Sequence, residues 1–472
     1  MTSAHNPERA SHPLPRRLLI ANRGAIAARV MRCAQSLGIE VVVVHSPVDA
    51  TLPYVDIADQ AFELPGNMPA DSYLNQDAIL EIAKRADVDA IHPGYGFLSE
   101  SAQFAQRVRD AGMCFVGPSP IWLERLGEKT GARRFMLAQG MPQTPSSEIL
   151  PDDAETVCRA ADGIGFPVLI KPALGGGGIG MVPVHKAEDL ATAWASAQAV
   201  AQRSFGRASL YLEKLVQRPR HIEFQFLADR YGNVAALYER DCSVQRRNQK
   251  VLEEARAPGI PKDLLDEMAE RLRDILSRTG YDVIGTVETL YTPEDGFCFL
   301  EVNTRLQVEH AVTEQVTGVD IVEAQIRLAA GQTLREVLPD MPQATGHAIQ
   351  ARIYAEDPRR FLPSPGTLSR FDIPLLEGIR VETGYAAGCE VPRYYDPMLA
   401  KVIATGKDRA EAMARLHTVL SGTIIEGVRT NVPFLLRALS DPDYRNGELD
   451  IEIVGRVLAR PEEISQPAQI PA

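Results

Sequence analysis

Apolar positions near the amino end fall into short, dense runs separated by helical spacing. Leu18-Leu19-Ile20-Ala21 reads as a buried strand, and from Arg23 to Leu37 the apolar residues recur every three or four positions, as on one face of a helix. Gly38 closes that helix and Ile39–His45 forms a second, β-branched strand. Strand, helix and strand within about thirty residues make a βαβ unit, which implies a parallel sheet with a right-handed crossover. The pattern repeats through a helix near 76–86, the strand Asp89–His92, a turn at Pro93-Gly-Tyr-Gly96, a helix ending near Ala111 and the strand Met113–Gly117. Residues 1–126 are therefore expected to form one doubly wound α/β domain. The first turn, Asn22-Arg-Gly-Ala-Ile-Ala, lacks G-x-G-x-x-G, so a dinucleotide is not suggested. The Pro93–Gly96 turn is either a close approach to a ligand or a plain structural turn.

Farther along, the period changes from helical to alternating. Phe166–Lys171 is an apolar strand ending in a lysine, followed by a loop with four consecutive glycines and a second strand, Met181–Val184. Successive glycines let backbone N–H groups converge on an anion, which suits nucleotide phosphates. A strand follows rather than a helix, and G-K-[S/T] is missing, so this is not a P-loop. A flexible hairpin of this kind can close as a lid over a nucleotide. Gly285–Tyr291, a turn at Thr292–Gly296, and Phe297 onward read as an antiparallel hairpin. Period two places Phe297, Phe299, Glu301, Asn303 and Arg305 on one face, with the alternation continuing through Gln307 and Glu309, and Glu288 on the neighbouring strand. Two carboxylates and an amide oxygen are hard ligands suited to Mg²⁺ beside a triphosphate. A cation, Arg305, and an anion, Glu309, beside that site suggest anion stabilisation and proton transfer. His221 and Glu223 share one side of another strand, and Glu239–Lys250 is dense in donors, as either a pocket wall or a solvated loop. From 346 to about 454 short strands alternate with a helix near 409–420, an α+β domain.

Composition sharpens this picture in three ways. The 472 residues allow about three domains. A net charge of −12 disfavours nucleic acid as a partner. Only nine of the 50 basic residues are lysines, so Lys129, Lys171, Lys214 and Lys250, all within the motif-rich centre, stand out. Six scattered cysteines without a C-x-x-C pair, no unbroken apolar run of eighteen, and a polar, proline-bearing start suggest a reducing, cytoplasmic setting away from any membrane.

Together these segments resemble the biotin carboxylase family of the ATP-grasp superfamily. The resemblance runs from Ile20-Ala-Asn-Arg-Gly24 through His92–Glu100, the glycine loop at Gly175, Glu239–Arg247, Glu301–His310 and Arg352–Pro358 to Tyr394-Tyr-Asp-Pro-Met398. It implies an N-terminal α/β domain (1–126), an ATP-grasp domain (127–345) with a glycine-rich lid at about 144–217, a C-terminal α+β domain (346–455) and a tail (456–472). By position, the resemblance implies ATP contacts at Lys129, Lys171, Gly177, Gly178, Glu213, Lys214, Leu215, Val216, His221, Gln245, Asn248, Glu288 and Glu301. Glu288, Glu301 and Asn303 would hold Mg²⁺, as two ions, with Mn²⁺ as a substitute. Lys250, Arg305, Gln307, Val308, Glu309 and Arg352 would form the bicarbonate and biotin pocket, with Lys250, Arg305, Glu309 and Arg352 catalytic. The implied reaction is bicarbonate attack on MgATP to give carboxyphosphate, then carboxylation of biotin, the first half-reaction of an acyl-CoA carboxylase that serves fatty acid synthesis. No Met-Lys-Met biotinylation motif occurs, so biotin is expected on a separate biotin carboxyl carrier protein, with a carboxyltransferase subunit as a further partner and a homodimer as the assembly.

The chain departs from the family pattern at four places. Ile179 stands where the glycine loop usually carries a cation, Asn248 replaces a histidine, Ala25 a glutamate and Ala311 a proline. Two other expectations follow from these changes: an ATP-grasp ligase for a different carboxylate, or a weakly catalytic scaffold subunit.

Overall fold

The structure is a computed structural model describing residues 12–173 and 179–461. Its first layer is a five-stranded parallel sheet, in the order β3-β2-β1-β4-β5, built from β1 (Arg17–Ile20), β2 (Glu40–His45), β3 (Gln60–Glu63), β4 (Ala90–His92) and β5 (Cys114–Phe115). Leu18, Ile20, Val41 and Val43 are wholly buried, as expected for strands covered on both faces by crossover helices. The helix Gly24–Ser36 follows β1 directly and contributes Ile26, Val30 and Met31 to the largest core cluster. The Pro93–Gly96 turn is structural. The Asn22 side-chain amide donates to the carbonyls of Pro93 and Tyr95 at 2.7 and 2.8 Å. Gly94 has φ +65°, and a Cβ there would lie 2.7 Å from that amide nitrogen.

A three-stranded antiparallel sheet, β7-β6-β8, comprises β6 (Val168–Pro172), β7 (Val182–Val184) and β8 (Leu210–Lys214). Helices Ala154–Ile164 and Leu190–Phe205 back it, closing a separate small core around Trp194, Val168 and Leu212. The hairpin predicted around the glycine loop is present, since β6 and β7 pair with Val168 opposite Val184. Gly177 and Gly178 lie outside the described residues.

The remaining architecture is one eight-stranded antiparallel sheet in the order β13-β12-β9-β10-β11-β14-β19-β17. Six of its strands are β9 (Arg220–Ala228), β10 (Val234–Arg246), β11 (Gln249–Ala255), β12 (Val283–Thr292), β13 (Gly296–Asn303) and β14 (His347–Tyr354). After β14 come two short pairs, β15 (Gly366–Thr367) with β18 (Glu390–Val391) and β16 (Arg370–Asp372) with β20 (Ile424–Glu426). The large sheet is completed by β17 (Ile379–Thr383) and β19 (Met398–Gly406). Beyond the expected helix Arg409–Ser421 lie three more, Val432–Ser440, Pro442–Asn446 and Ile453–Ala459. The sequence read the region after 346 as its own alternation of strands and a helix. In the structure, β14, β19 and β17 extend the sheet begun by β9–β13, so the two regions share one backbone ladder through the β11–β14 pairing.

The donor-dense segment Glu239–Lys250 is a buried wall as far as Arg246 and then an exposed turn at residues 247–249. Glu239, Arg240 and Asp241 are sealed within β10, and the chain reverses at Arg247-Asn248 with φ of 49° and 62°. Asparagine tolerates that left-handed conformation better than most residues, which gives Asn248 a local reason in this two-residue turn. Among the described residues no helix is long and apolar enough to cross a membrane.

Candidate active site

A cavity of about 350 Å³ lies between the small sheet and the large one. The small sheet contributes Lys171, Glu213 and Lys214, with Leu215 and Val216 just beyond β8. The large sheet and its loops contribute His221, Gln245, Asn248, Lys250, Glu288, Glu301, Asn303, Arg305, Gln307, Val308, Glu309 and Arg352, and Lys129 joins from the start of the helix Lys129–Ala138. Every described residue singled out from the sequence as a site residue lines this one space.

On the small sheet, Lys171 Nζ lies 2.9 Å from Glu213 Oε2, both fully buried. Arg133 stands 3.3 Å from the other Glu213 oxygen, and Thr144 donates to it at 2.9 Å. Burial would raise the Glu213 carboxyl, but Lys171 and Arg133 outweigh it and hold the group below its ordinary range. Lys214 Nζ donates to the carbonyls of Gly165 and Phe166. The Lys214 ammonium thus ties the end of β8 to the entry of β6.

Glu288 on β12 and Glu301 on β13 are direct cross-strand partners. Two carboxylates so placed repel unless a cation lies between or beside them. Lys250 Nζ is 2.9 Å from Glu288 Oε1, and Lys129 Nζ is 3.4 Å from Glu301 Oε2. The Asn303 amide nitrogen donates to Glu288 at 2.7 Å, while its oxygen accepts from Arg305 at 2.9 Å. Two acidic oxygens and an amide oxygen on neighbouring strands form a hard donor set that fits Mg²⁺. His221 Nε2 sits 2.7 Å from Glu288 Oε2, and Gln245 contacts the other ring nitrogen at 2.7 Å, so the imidazole orients a carboxylate.

The expected alternation along β13 breaks at Leu300. Glu288 faces Glu301 but Thr289 faces Phe299, so one residue is extra on β13. This bulge reverses the parity: Phe297 and Phe299 pack with Phe224 and Tyr291 in the core, whereas Leu300, Glu301 and Asn303 line the cavity. Period two therefore does not place the phenylalanines beside the acidic residues. Nor does it carry through Gln307 and Glu309. The strand ends at Asn303, and the loop that follows delivers Arg305 and Gln307, with Glu309 as the last residue before the helix His310–Thr317.

Lys250 is the hub of the site. Its Nζ lies 2.6 Å from Glu223, 2.9 Å from Glu288 and 2.6 Å from Glu309. Burial opposes the ammonium charge, but Cys242 and these three carboxylates hold its pKa well above the ordinary lysine value. Glu309 is fully buried, and its second oxygen accepts from Arg352 at 2.8 Å. Burial would raise this carboxyl, yet Lys250 and Arg352 keep it well below the usual range. Glu223 is pushed upward by burial in spite of Arg240 and Lys250. Arg305 reaches Gln307 at 3.0 Å, and its Nε lies 3.0 Å from Glu100. Glu100 was not assigned a role from the sequence. Tyr354 and Asp396, which also line the cavity, were not assigned either. All three lie inside segments quoted for the family resemblance, which was the available signal.

Comparison with known proteins places this geometry. Residues 15–123 match the biotin carboxylase N-terminal domain, 128–337 the carbamoyl-phosphate synthase L chain ATP-binding domain, and 350–456 the biotin carboxylase C-terminal domain. The chain is 44% identical over 438 residues to biotin carboxylase 2 of Bacillus subtilis (strain 168), covering 93% of this chain and 98% of that one. It is 45% identical over 443 residues to the mitochondrial methylcrotonoyl-CoA carboxylase subunit alpha of Oryza sativa subsp. japonica, covering 93% of this chain and 60% of that longer protein. The biotin carboxylase domain of Hydrogenobacter thermophilus 2-oxoglutarate carboxylase, solved as a dimer with MgADP, ADP and bicarbonate, superposes with a TM-score of 0.91 at 39% identity, covering 96% of this chain and all of that one.

Proposed function

The chain belongs to the biotin carboxylase family, and from that premise we propose how its cavity performs the ATP-dependent carboxylation of biotin. It is an ATP-dependent ligase that forms a carbon–nitrogen bond, the biotin carboxylase subunit of a larger carboxylase. The observation that carries the assignment of roles is the convergence of Lys250 and Arg352 on Glu309, with the same Lys250 reaching Glu288 of the Glu288–Glu301 pair and Arg305 lining the same cavity.

In this reading Lys129 and Lys171 bind nucleotide phosphates, Gly177 and Gly178 contact them from the lid, and the Glu213–Val216 backbone seats the adenine. Glu288, Glu301 and Asn303 would hold Mg²⁺, which neutralises phosphoryl charge when bound. Bicarbonate lies between Lys250 and Arg305, beside Gln307 and Val308. Glu309 accepts its proton, and the freed oxygen attacks the γ-phosphorus of ATP, expelling ADP and giving carboxyphosphate. Carboxyphosphate then breaks into CO₂ and phosphate, the released phosphate takes the N1′ proton of biotin, and the resulting anion, stabilised by Arg305 and Arg352, bonds through N1′ to CO₂. Glu309 is bonded through both oxygens, so it is ionised at neutral pH but weakly basic. Its basicity rises when an arriving bicarbonate anion draws Lys250 away from it, which couples substrate entry to proton acceptance.

Biotin reaches this cavity on a carrier protein, and a carboxyltransferase subunit passes the carboxyl group to its acceptor. A homodimer in the cytoplasm completes the reading. The test is phosphate release from MgATP by the purified protein. The expected result is a requirement for bicarbonate and stimulation by free biotin; indifference to both defeats the proposal.

A further inference from the structure

The loop that carries Gln307, Val308 and Glu309 is gripped by neighbouring strands of the large sheet. Arg352 on β14, Lys401 on β19 and Glu382 on β17 are consecutive cross-strand partners in the large sheet. Directly opposed residues project to the same face, so the three side chains form a row across three strands. Arg352 ends on Glu309 at 2.8 Å. Lys401 Nζ donates to the Val308 carbonyl at 2.8 Å and lies 2.5 Å from Glu382. The next residue of the loop adds a second grip, because His310 Nδ1 lies 2.6 Å from the Gln307 carbonyl. A trans peptide is planar with its N–H opposed to its C=O. Fixing the Gln307 oxygen therefore sets the direction of the Val308 N–H, and fixing the Val308 oxygen sets the peptide that leads into Glu309.

Lys401 is 0% exposed. A buried ammonium is expensive, and methionine would fill the same volume without that penalty. What the ammonium adds at this place is its bond to the Val308 carbonyl, held in register by Glu382. We propose that Lys401 is a positioning residue for the bicarbonate pocket: anchored by Glu382, it fixes the Val308–Glu309 peptide so that the loop meets bicarbonate in one geometry. The inference rests on the reading of the cavity given above.

The test is steady-state ATP cleavage by the full chain with bicarbonate and ATP varied separately. Lys401→Met combined with Glu382→Gln removes one cation and one anion together, leaving Arg29 and Arg380 balanced by Glu314 and Asp320. The expected result is a KM for bicarbonate raised about tenfold or more, from losing one charged hydrogen bond, with the KM for ATP within about twofold. A merely structural role would lower the active fraction, so kcat would fall with both KM values unchanged, and that outcome overturns the proposal. If the double variant does not fold, Lys401→Met alone is measured, since Glu382 then keeps Arg29 and Arg380 as partners; it should raise the bicarbonate KM in the same direction, and an unchanged value overturns the proposal equally. ATP cleavage by the unsubstituted protein that ignores bicarbonate would bring down the functional reading together with this inference. Bicarbonate dependence there, with an unmoved KM in the variants, defeats the inference alone.

Discussion

Two buried ionic networks stand side by side in this protein, made of the same chemical groups and serving different ends. Around the cavity, Lys250 and Arg352 face Glu223, Glu288 and Glu309, and Arg305 faces Glu100, with Glu301 still 31% exposed on its side chain. Behind the 305–309 loop, Arg29, Arg380 and Lys401 face Glu314, Glu382 and Asp320. Residue types alone do not separate them. The first borders empty space, so a polyanionic nucleotide or bicarbonate can take over its cations; the inner members of the second are packed on every side and can only hold their neighbours. A charge cluster becomes a site when a ligand can exchange partners with it.

The comparison is broken most forcefully at the second network. Glu314→Gln should destabilise the fold by about 3 to 5 kcal/mol, because Arg29 and Arg380 lose a buried partner. Denaturant unfolding checks this, and the KM values of the surviving enzyme should stay as they were. The mirror experiment is Arg305→Ala. It should lower bicarbonate-dependent ATP cleavage by about 10²- to 10³-fold with little change in thermal midpoint, and a large loss of stability at preserved activity would invert the assignment of the two networks.

A third buried cluster separates charge that stabilises from charge that works through its dependence on pH. Glu254 lies between His347 and Arg409, and although burial raises it, those two partners hold its pKa at about 2. A carboxyl depressed on folding contributes stability that is fully present above its unfolded value of about 4.5 and lost as pH falls toward 2. Glu254→Gln should therefore cost about 3 kcal/mol at pH 7, with the difference from the parent shrinking below about pH 4.5, as followed by unfolding at stepped pH. A constant difference across that window would show that the carboxylate charge is not what stabilises.

Smaller effects belong to the cavity edge. Glu288→Gln should weaken the dependence on Mg²⁺ about tenfold, read as the Mg²⁺ concentration giving half-maximal ATP cleavage at fixed ATP. An unmoved Mg²⁺ requirement would remove Glu288 from the metal set. Ile179→Arg should tighten ATP by only about threefold, since one exposed cation near phosphates is strongly screened. Calorimetric titration with ATP measures it, and an unchanged Kd would mean the lid contacts phosphate without help from that position.

What could be read from the chain follows the range of the contacts involved. Four of the five parallel strands were legible, Leu18–Ile20 and Val41–Val44 most clearly as unbroken apolar runs bounded by glycine and polar residues, whereas the edge strand Gln60–Glu63, with only two apolar residues, went unread. The carboxylate hairpin was legible because its turn is marked by Pro293 and Gly296. The bulge at Leu300 left no such mark, since an inserted residue changes parity without changing composition, and two phenylalanines were therefore assigned to the wrong face. The union of β11 with β14 joins residues about a hundred positions apart, beyond any periodicity. Lys401 is the instructive omission. It is one of the nine lysines whose scarcity pointed to four others, but it lies in an apolar strand, Met398–Gly406, and its partners Glu382 and Val308 are distant in sequence.

The single continuous sheet also determines how this protein can be taken apart. A cut near residue 345 passes between β11 and β14 and would strip the seven-residue, mostly buried strand Gln249–Ala255 of one entire flank. Such a bare edge recruits other chains and aggregates. The portion that can be lifted out or exchanged with a relative is instead the three-stranded unit around Trp194, which carries its own core and meets the rest at the cavity it covers and through the buried Arg133–Glu213 pair. Chimeras that change nucleotide affinity should therefore be joined at that unit's borders.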